Sequence, residues 1–182
     1  MITQCLKCDI CRGRKNIVNA SGDFANCKIM FIGEAPGATE DKTGIPFTGK
    51  AGQLLNKFFN HFGIDRNKGI VINNVIKCRP PGNRTPMINE VNNCFPYLED
   101  EIKTYNPKVI VLLGTTAMKV VLGDTSDIIS KKRGTYLIVD NRIFYFTYHP
   151  SYLLKNKENT KIFDEFYSDI KYISKLHKLL IK

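Results

Sequence analysis

The sequence predicts an α/β fold in which helices cover both faces of a mostly parallel sheet. Short, wholly apolar runs such as Ile29-Met30-Phe31-Ile32 and Val109 to Leu113 suit strands buried on both sides. Between them lie longer stretches with apolar residues at helical spacing: Leu54, Leu55, Phe58, Phe59 and Phe62 in one, Val91, Cys94, Leu98 and Ile102 in another. The first strand ends abruptly at Gly33 and opens into a Gly-rich loop before a helix, which is how such a sheet builds a ligand site beyond its strand ends.

Taken in order, residues 1 to about 27 form an irregular arm with a cysteine loop and a basic run, Arg12, Arg14 and Lys15. A strand over 28–33 leads into the Gly-rich loop, which carries Glu34, Pro36, Gly37, Glu40, Asp41, Gly44, Pro46 and Phe47. A helix over 49–62 follows, with Gly63 placed for the positive φ of a helix end. A second strand, 70–75, runs into Lys77-Cys78-Arg79-Pro80-Pro81-Gly82-Asn83-Arg84-Thr85-Pro86, where the prolines exclude regular structure. Next come a helix over 87–105, the strand at 109–113, and a short helix capped by Gly114-Thr115-Thr116 and ending near Gly123. A basic segment, Ser130 to Gly134, precedes a hairpin of 135–139 and 142–147 turning at Asp140-Asn141. Tyr148-His149-Pro150-Ser151 leads to a final helix over 159–181 that turns Ile162, Phe166, Ile170, Ile173 and Leu180 inward. Strands alternating with helices imply parallel pairing.

The 182 residues suit a single domain (1–182) that includes the arm. Hydrophobic residues at 43% and charged residues at 24% are globular proportions, which exclude disorder. A net charge of +10 favours a polyanionic partner. No run approaches the roughly 18 apolar residues of a membrane span, and no signal-peptide core is present, so the expected location is cytoplasmic, with the nucleoid included.

Gly44 to Ala51 fits the phosphate-loop pattern except at its last position, where Ala51 replaces the hydroxyl that would bind Mg²⁺. Pro46 also removes an N–H from the cradle, so nucleotide hydrolysis is not expected. Of the six cysteines, Cys27 suits a buried thiol, whereas Cys5, Cys8 and Cys11 crowd one short loop. Joined by the distant Cys78 and Cys94, two of these would make a four-thiolate site tying the arm to the body. Spacing alone leaves zinc and an iron–sulfur cluster open.

Three blocks carry a resemblance. Gly33-Glu-Ala-Pro-Gly37 with Glu40-Asp41 and Gly44-x-Pro46-Phe47-x-Gly49-x-Ala51-Gly52-x-Leu54-Leu55 is the first, Asn74-Val-Ile-Lys-Cys78-Arg-Pro-Pro-Gly-Asn-Arg84-x-Pro86 the second, and Tyr148-His-Pro-Ser-Tyr-Leu-Leu154 the third. Together, and in this order, they resemble the iron–sulfur (family 4) uracil-DNA glycosylases. The resemblance implies a three-layer α/β/α sandwich around a mostly parallel four-stranded sheet. It implies a [4Fe–4S] cluster on Cys5, Cys8, Cys78 and Cys94, with Cys11 outside the set and the cluster in a structural role. It also implies excision of uracil from single- or double-stranded DNA by a monomeric enzyme.

An enzyme acting on a base must take it out of the stack, then read its edge and stack on its face. The expected uracil pocket is Gly33, Glu34, Phe47, Asn74 and His149. Phe47 supplies the stacking face. The rigid amide of Asn74 offers an acceptor and a donor matching uracil N3–H and O4, with Asn73 as fallback on the opposite strand face. By the resemblance, His149 stabilises charge developing on uracil O2. His149 and Glu34 are the expected catalytic residues. Related glycosylases have an Asp where Ala35 stands, so Glu34 either orients water and steadies the sugar or holds its own loop. Lys77, Arg79, Arg84, Lys131, Lys132, Arg133 and Ser151 are expected on phosphates, with Leu153 or Leu154 as the wedge that fills the vacated stack. A lesion-binding protein without turnover is the rival reading. A covalent uracil trap would need a His in the basic loop, which here is Lys131-Lys132-Arg133-Gly134.

Overall fold

The structure is a computed structural model and describes residues 1–123 and 126–181. In chain order its elements are β1 (Ser21–Gly22), β2 (Ile29–Gly33), α1 (Ala38–Thr43), α2 (Lys50–Phe62), β3 (Ile70–Asn74), α3 (Ile88–Tyr105), β4 (Val109–Leu113), α4 (Thr115–Leu122), α5 (Ile129–Lys132), β5 (Tyr136–Val139), β6 (Arg142–Thr147), α6 (Pro150–Lys155) and α7 (Thr160–Leu180).

The strands form one sheet in the order β1-β3-β2-β4-β6-β5. β3, β2, β4 and β6 pair in parallel, while β1 and β5 add antiparallel edges. The expected four-stranded sheet is therefore the parallel centre of a six-stranded one. Its extra strands come from the arm, whose Ser21–Gly22 pairs with Ile72 and Val71, and from the hairpin. The arm is also less irregular than expected, with a 3-10 turn at Asp9–Arg12.

Alternation along the strands divides the core. Ile29, Phe31, Ile70, Ile72, Val111 and Tyr145 pack with Leu55 and Phe59 of α2, Leu153 of α6 and Phe166, Ile170 and Ile173 of α7. Met30, Ile32, Val71, Ile110, Leu112 and Phe146 face the other way, onto Leu98 and Ile102 of α3 and Met118 of α4. Burial on both faces explains why β2, β3 and β4 lack a polar face.

Three short helices, α1, α5 and α6, lie where no helix is expected. In α1, polar Ala38–Thr43 has no apolar stripe. It forms because Glu40 and Asp41 are satisfied inside: Glu40 accepts from Gly37 N–H at its own N-terminus, and Asp41 accepts from the N–H groups of Lys15 and Asn16 in the arm. Gly44, at φ 73°, ends it. β2 has β3 on one side and β4 on the other, so the order in which strands are added reverses here and leaves a crevice beyond the strands' carboxyl ends. No described helix is long and apolar enough to cross a membrane.

Candidate active site

Beyond that crevice, Ala35, Glu40, Phe47, Asn74, Asn83 and His149 line a cavity of about 300 Å³. Each side chain is delivered by a different device. Gly33 ends β2 where a side chain has no room: a Cβ would stand 2.6 Å from both Asn74 Oδ1 and the Phe47 ring. Phe47 lies between α1 and α2 with φ at 55°, unusual for a bulky residue. Behind it, Gly52 comes so close that a Cβ would fall 1.9 Å from the Phe47 carbonyl oxygen. Glu40 spans the loop, accepting from Gly37 N–H at 3.1 Å and Gly49 N–H at 2.7 Å.

Asn73 and Asn74 end β3 on opposite faces. Asn73 is committed to the interior, donating to Glu101 at 2.7 Å and accepting from Lys77 and from the Asn74 N–H. Asn74 Oδ1, buried, has no hydrogen-bond partner. A buried carbonyl oxygen without a donor is costly, and this one is free to accept a hydrogen bond.

His149 caps α6. Ser151 N–H donates to its Nδ1 at 3.1 Å, and the Ser151 hydroxyl lies 2.7 Å from the same nitrogen. A backbone N–H can only donate, so Nδ1 is an acceptor and the neutral ring carries its proton on Nε2. Although part of the ring surface opens to the cavity, the surrounding protein, helped by the charge of Lys155, pushes its pKa down to about 4. Its ring centroid is 5.6 Å from that of Phe47.

Glu34 points elsewhere. Its carboxylate accepts from the Thr116 hydroxyl at 2.5 Å, at the N-terminus of α4. There it lines an adjoining groove of about 600 Å³, shared with Arg84, Ser130, Ser151, Tyr152 and Lys155. His149 belongs to both spaces.

Several expected DNA contacts are placed differently. Lys77 is 1% exposed and forms a 2.5 Å ion pair with Glu101, so its charge serves the interior. Burial pushes its ammonium pKa down against the pull of Glu101. Leu153 is fully buried in the core and cannot be the wedge; Leu154 beside it is only half-buried. Arg133 binds Asp169 and donates to the Glu165 carbonyl, fastening the basic segment to α7. Arg84 forms a two-pronged pair with Glu90, at 2.8 and 2.6 Å, which braces the proline loop. Arg79 donates to Asn83 at 2.7 Å. Lys131 and Lys132 are exposed, Lys132 pairing with Asp127 at 3.0 Å. Sequence reasoning missed Lys155 and Asn83, which line these spaces. Lys155 follows the third block closely enough that it could have been flagged.

Away from the base cavity, Cys5, Cys8, Cys78 and Cys94 line one pocket together with Ile10, Arg14 and Tyr97, and Cys11 is not among them. Donors point at the sulfurs: Tyr97 hydroxyl to Cys5 at 3.7 Å, Lys77 N–H to Cys94 at 3.3 Å, Arg14 to Cys78 at 3.5 Å. An Ile10 N–H serves Cys8. Burial raises the pKa of Cys8, of Cys78 and of Cys94, the last to about 11. Among the described residues, no three His, Cys, Asp or Glu side chains converge tightly enough for a single metal ion. Four sulfurs, that of Cys78 buried and those of Cys5, Cys8 and Cys94 half-buried, are provided with donors yet spread around a shared pocket, and so fit a group larger than one ion.

Residues 20–171 match the family described as the Uracil DNA glycosylase superfamily. The chain is 41% identical over 159 residues to a type-4 uracil-DNA glycosylase of Thermotoga maritima, covering 87% of this chain and 82% of that protein. It is 38% identical over 181 residues to one of Sulfurisphaera tokodaii, covering 95% and 81%, and 35% identical over 184 residues to one of Archaeoglobus fulgidus, covering 96% and 89%.

Proposed function

Because the chain belongs to the type-4 uracil-DNA glycosylases, we propose that it excises uracil from DNA by hydrolysing the N-glycosidic bond and leaving an abasic site. The observation that carries this reading is the cavity in which the Phe47 ring, the unpartnered Asn74 oxygen and the His149 imidazole meet.

A flipped uracil lies on Phe47. Asn74 Oδ1 accepts from N3–H, and its Nδ2 donates to O4. Cytosine presents an acceptor at N3 and a donor at N4, so the same amide would leave both groups unsatisfied. His149 Nε2–H donates to O2, where charge gathers as the glycosidic bond lengthens. It does so as a neutral donor that needs no proton from solvent, and such a preorganised donor is worth about 3 kcal/mol. Glu34, bound to Thr116 in the adjoining groove, faces the sugar side and supplies the negative potential that an oxocarbenium-like centre requires. A reaction led by bond breaking depends on leaving-group stabilisation more than on a strong base, which accommodates Ala35.

Cys5, Cys8, Cys78 and Cys94 would hold a [4Fe–4S] cluster, which supplies a rigid four-point anchor in place of redox chemistry. The anchor ties the arm and the proline loop to α3. Lys131, Lys132 and Lys155 meet phosphates, and the protein acts as a monomer in the cytoplasm. Pure protein incubated with uracil-containing single- and double-stranded DNA tests the reading: free uracil and alkali-labile sites are expected, and release from neither substrate refutes it.

A further inference from the structure

Arg66 does not line the base cavity, yet it grips the loop that presents Phe47. It reaches from the turn after α2, donating to the Pro46 carbonyl at 2.6 Å and the Phe47 carbonyl at 3.2 Å. Its other partners are Asn56 Oδ1 and Ser21 Oγ, each at 3.4 Å. One guanidinium thus joins two successive carbonyls of the Phe47 loop to α2 and to β1. The planar fork of arginine can serve acceptors on both sides at once, whereas a lysine ammonium cannot hold such a set in one plane.

Phe47 needs that hold. At φ 55° its side chain crowds its own backbone, a conformation that persists only where surroundings impose it. Gly52 of α2 lies close against the Phe47 carbonyl, and Arg66 donates to that same oxygen. Relaxing the loop would swing the ring out of the position that, in the uracil reading above, forms the stacking face.

We infer that Arg66 is a positioning residue for base recognition, setting the plane on which the extrahelical pyrimidine stacks through its hold on the Pro46 and Phe47 carbonyls. The inference rests on the uracil reading. It predicts a defect in binding the base, with DNA contacts intact.

Two measurements on the cluster-loaded protein test it, namely single-turnover uracil release and affinity for DNA already carrying an abasic site. Arg66→Gln should slow release by about tenfold to 100-fold, the scale of a small misplacement of a catalytic group, and weaken inhibition by free uracil in parallel. Its affinity for abasic DNA should stay at the wild-type level. Arg66→Lys should fall between. In a Phe47→Ala background, Arg66→Gln should cost nothing further, since the ring through which it acts is gone. Should Arg66→Gln fail to fold, Asn56→Ala, which frees one side of the guanidinium, should shift the same readouts in the same direction by less. Wild-type behaviour of folded Arg66→Gln, equal losses of uracil and abasic-DNA affinity, or additivity with Phe47→Ala would each overturn the inference. A wild-type protein that releases no uracil overturns this inference together with the function; any other failure leaves the function standing.

Discussion

Gly33 and Asn74 are adjacent across β2 and β3, and the missing side chain of the first is what leaves the second usable: a Cβ on Gly33 would stand 2.6 Å from Asn74 Oδ1. The φ of Gly33 is not positive, so the requirement for glycine here is one of space. Gly33→Ala should therefore fold, with Asn74 and Phe47 forced to shift. We expect uracil release to fall by at least about 100-fold while DNA affinity is kept, as assayed by single-turnover release and by binding to uracil-free duplex. Normal turnover would mean that Asn74 does not read the base.

Asn74→Asp presents a second acceptor where O4 needs a donor. It should lose most uracil activity and narrow the discrimination against cytosine, a change visible when release of both bases is measured on matched substrates. Retained selectivity would point to another reader.

His149→Ala should cost about 3 kcal/mol of transition-state stabilisation, or roughly 100-fold in rate. With the folded pKa near 4, the imidazole stays neutral through the ordinary histidine range. The pH–rate profile should thus show no inflection near about 6.5. Between about 6.5 and about 4 the unfolded chain binds a proton at this site that the folded one refuses, so stability at this residue falls as the solution becomes more acidic. A titration of the His149 ring by NMR with a midpoint near 6.5 would contradict both statements.

Cys78→Ser should abolish the broad visible absorbance of an iron–sulfur protein, whereas Cys11→Ser should keep it, because Cys11 lies outside the four-sulfur pocket. A colourless wild type containing stoichiometric zinc would replace the cluster assignment.

Lys77 and Lys131 should separate cleanly. Lys77→Met leaves Glu101 without its buried partner and should destabilise the fold by about 3–5 kcal/mol, read from denaturant midpoints. Lys131→Gln, at the surface, should instead lower the salt dependence of DNA binding by about one phosphate contact and leave stability alone.

Much of the molecule follows from local chemistry in the chain. Apolar runs without a polar face require strands buried on both sides, helical spacing marks α2, α3 and α7, and neighbouring positions at the end of β3 must present Asn73 and Asn74 to opposite faces. Those are consequences of backbone periodicity, and the family blocks follow the same order. What periodicity cannot carry is which charges meet. Lys77 and Arg84 look like phosphate ligands until folding brings Glu101 and Glu90 beside them, and Glu34 is turned toward Thr116, far along the chain. Leu153 or Leu154 is expected as the wedge from its place after His-Pro-Ser, and packing of Leu153 into the core with α2 and α7 decides against Leu153. Arg66 carries no motif at all; its role exists only because the turn after α2 comes back beneath the Phe47 loop. Hydrophobic pattern acts between near neighbours and is written in the chain, whereas an ion pair or a carbonyl clamp needs distant atoms within about 3 Å, a proximity that only the packed structure creates.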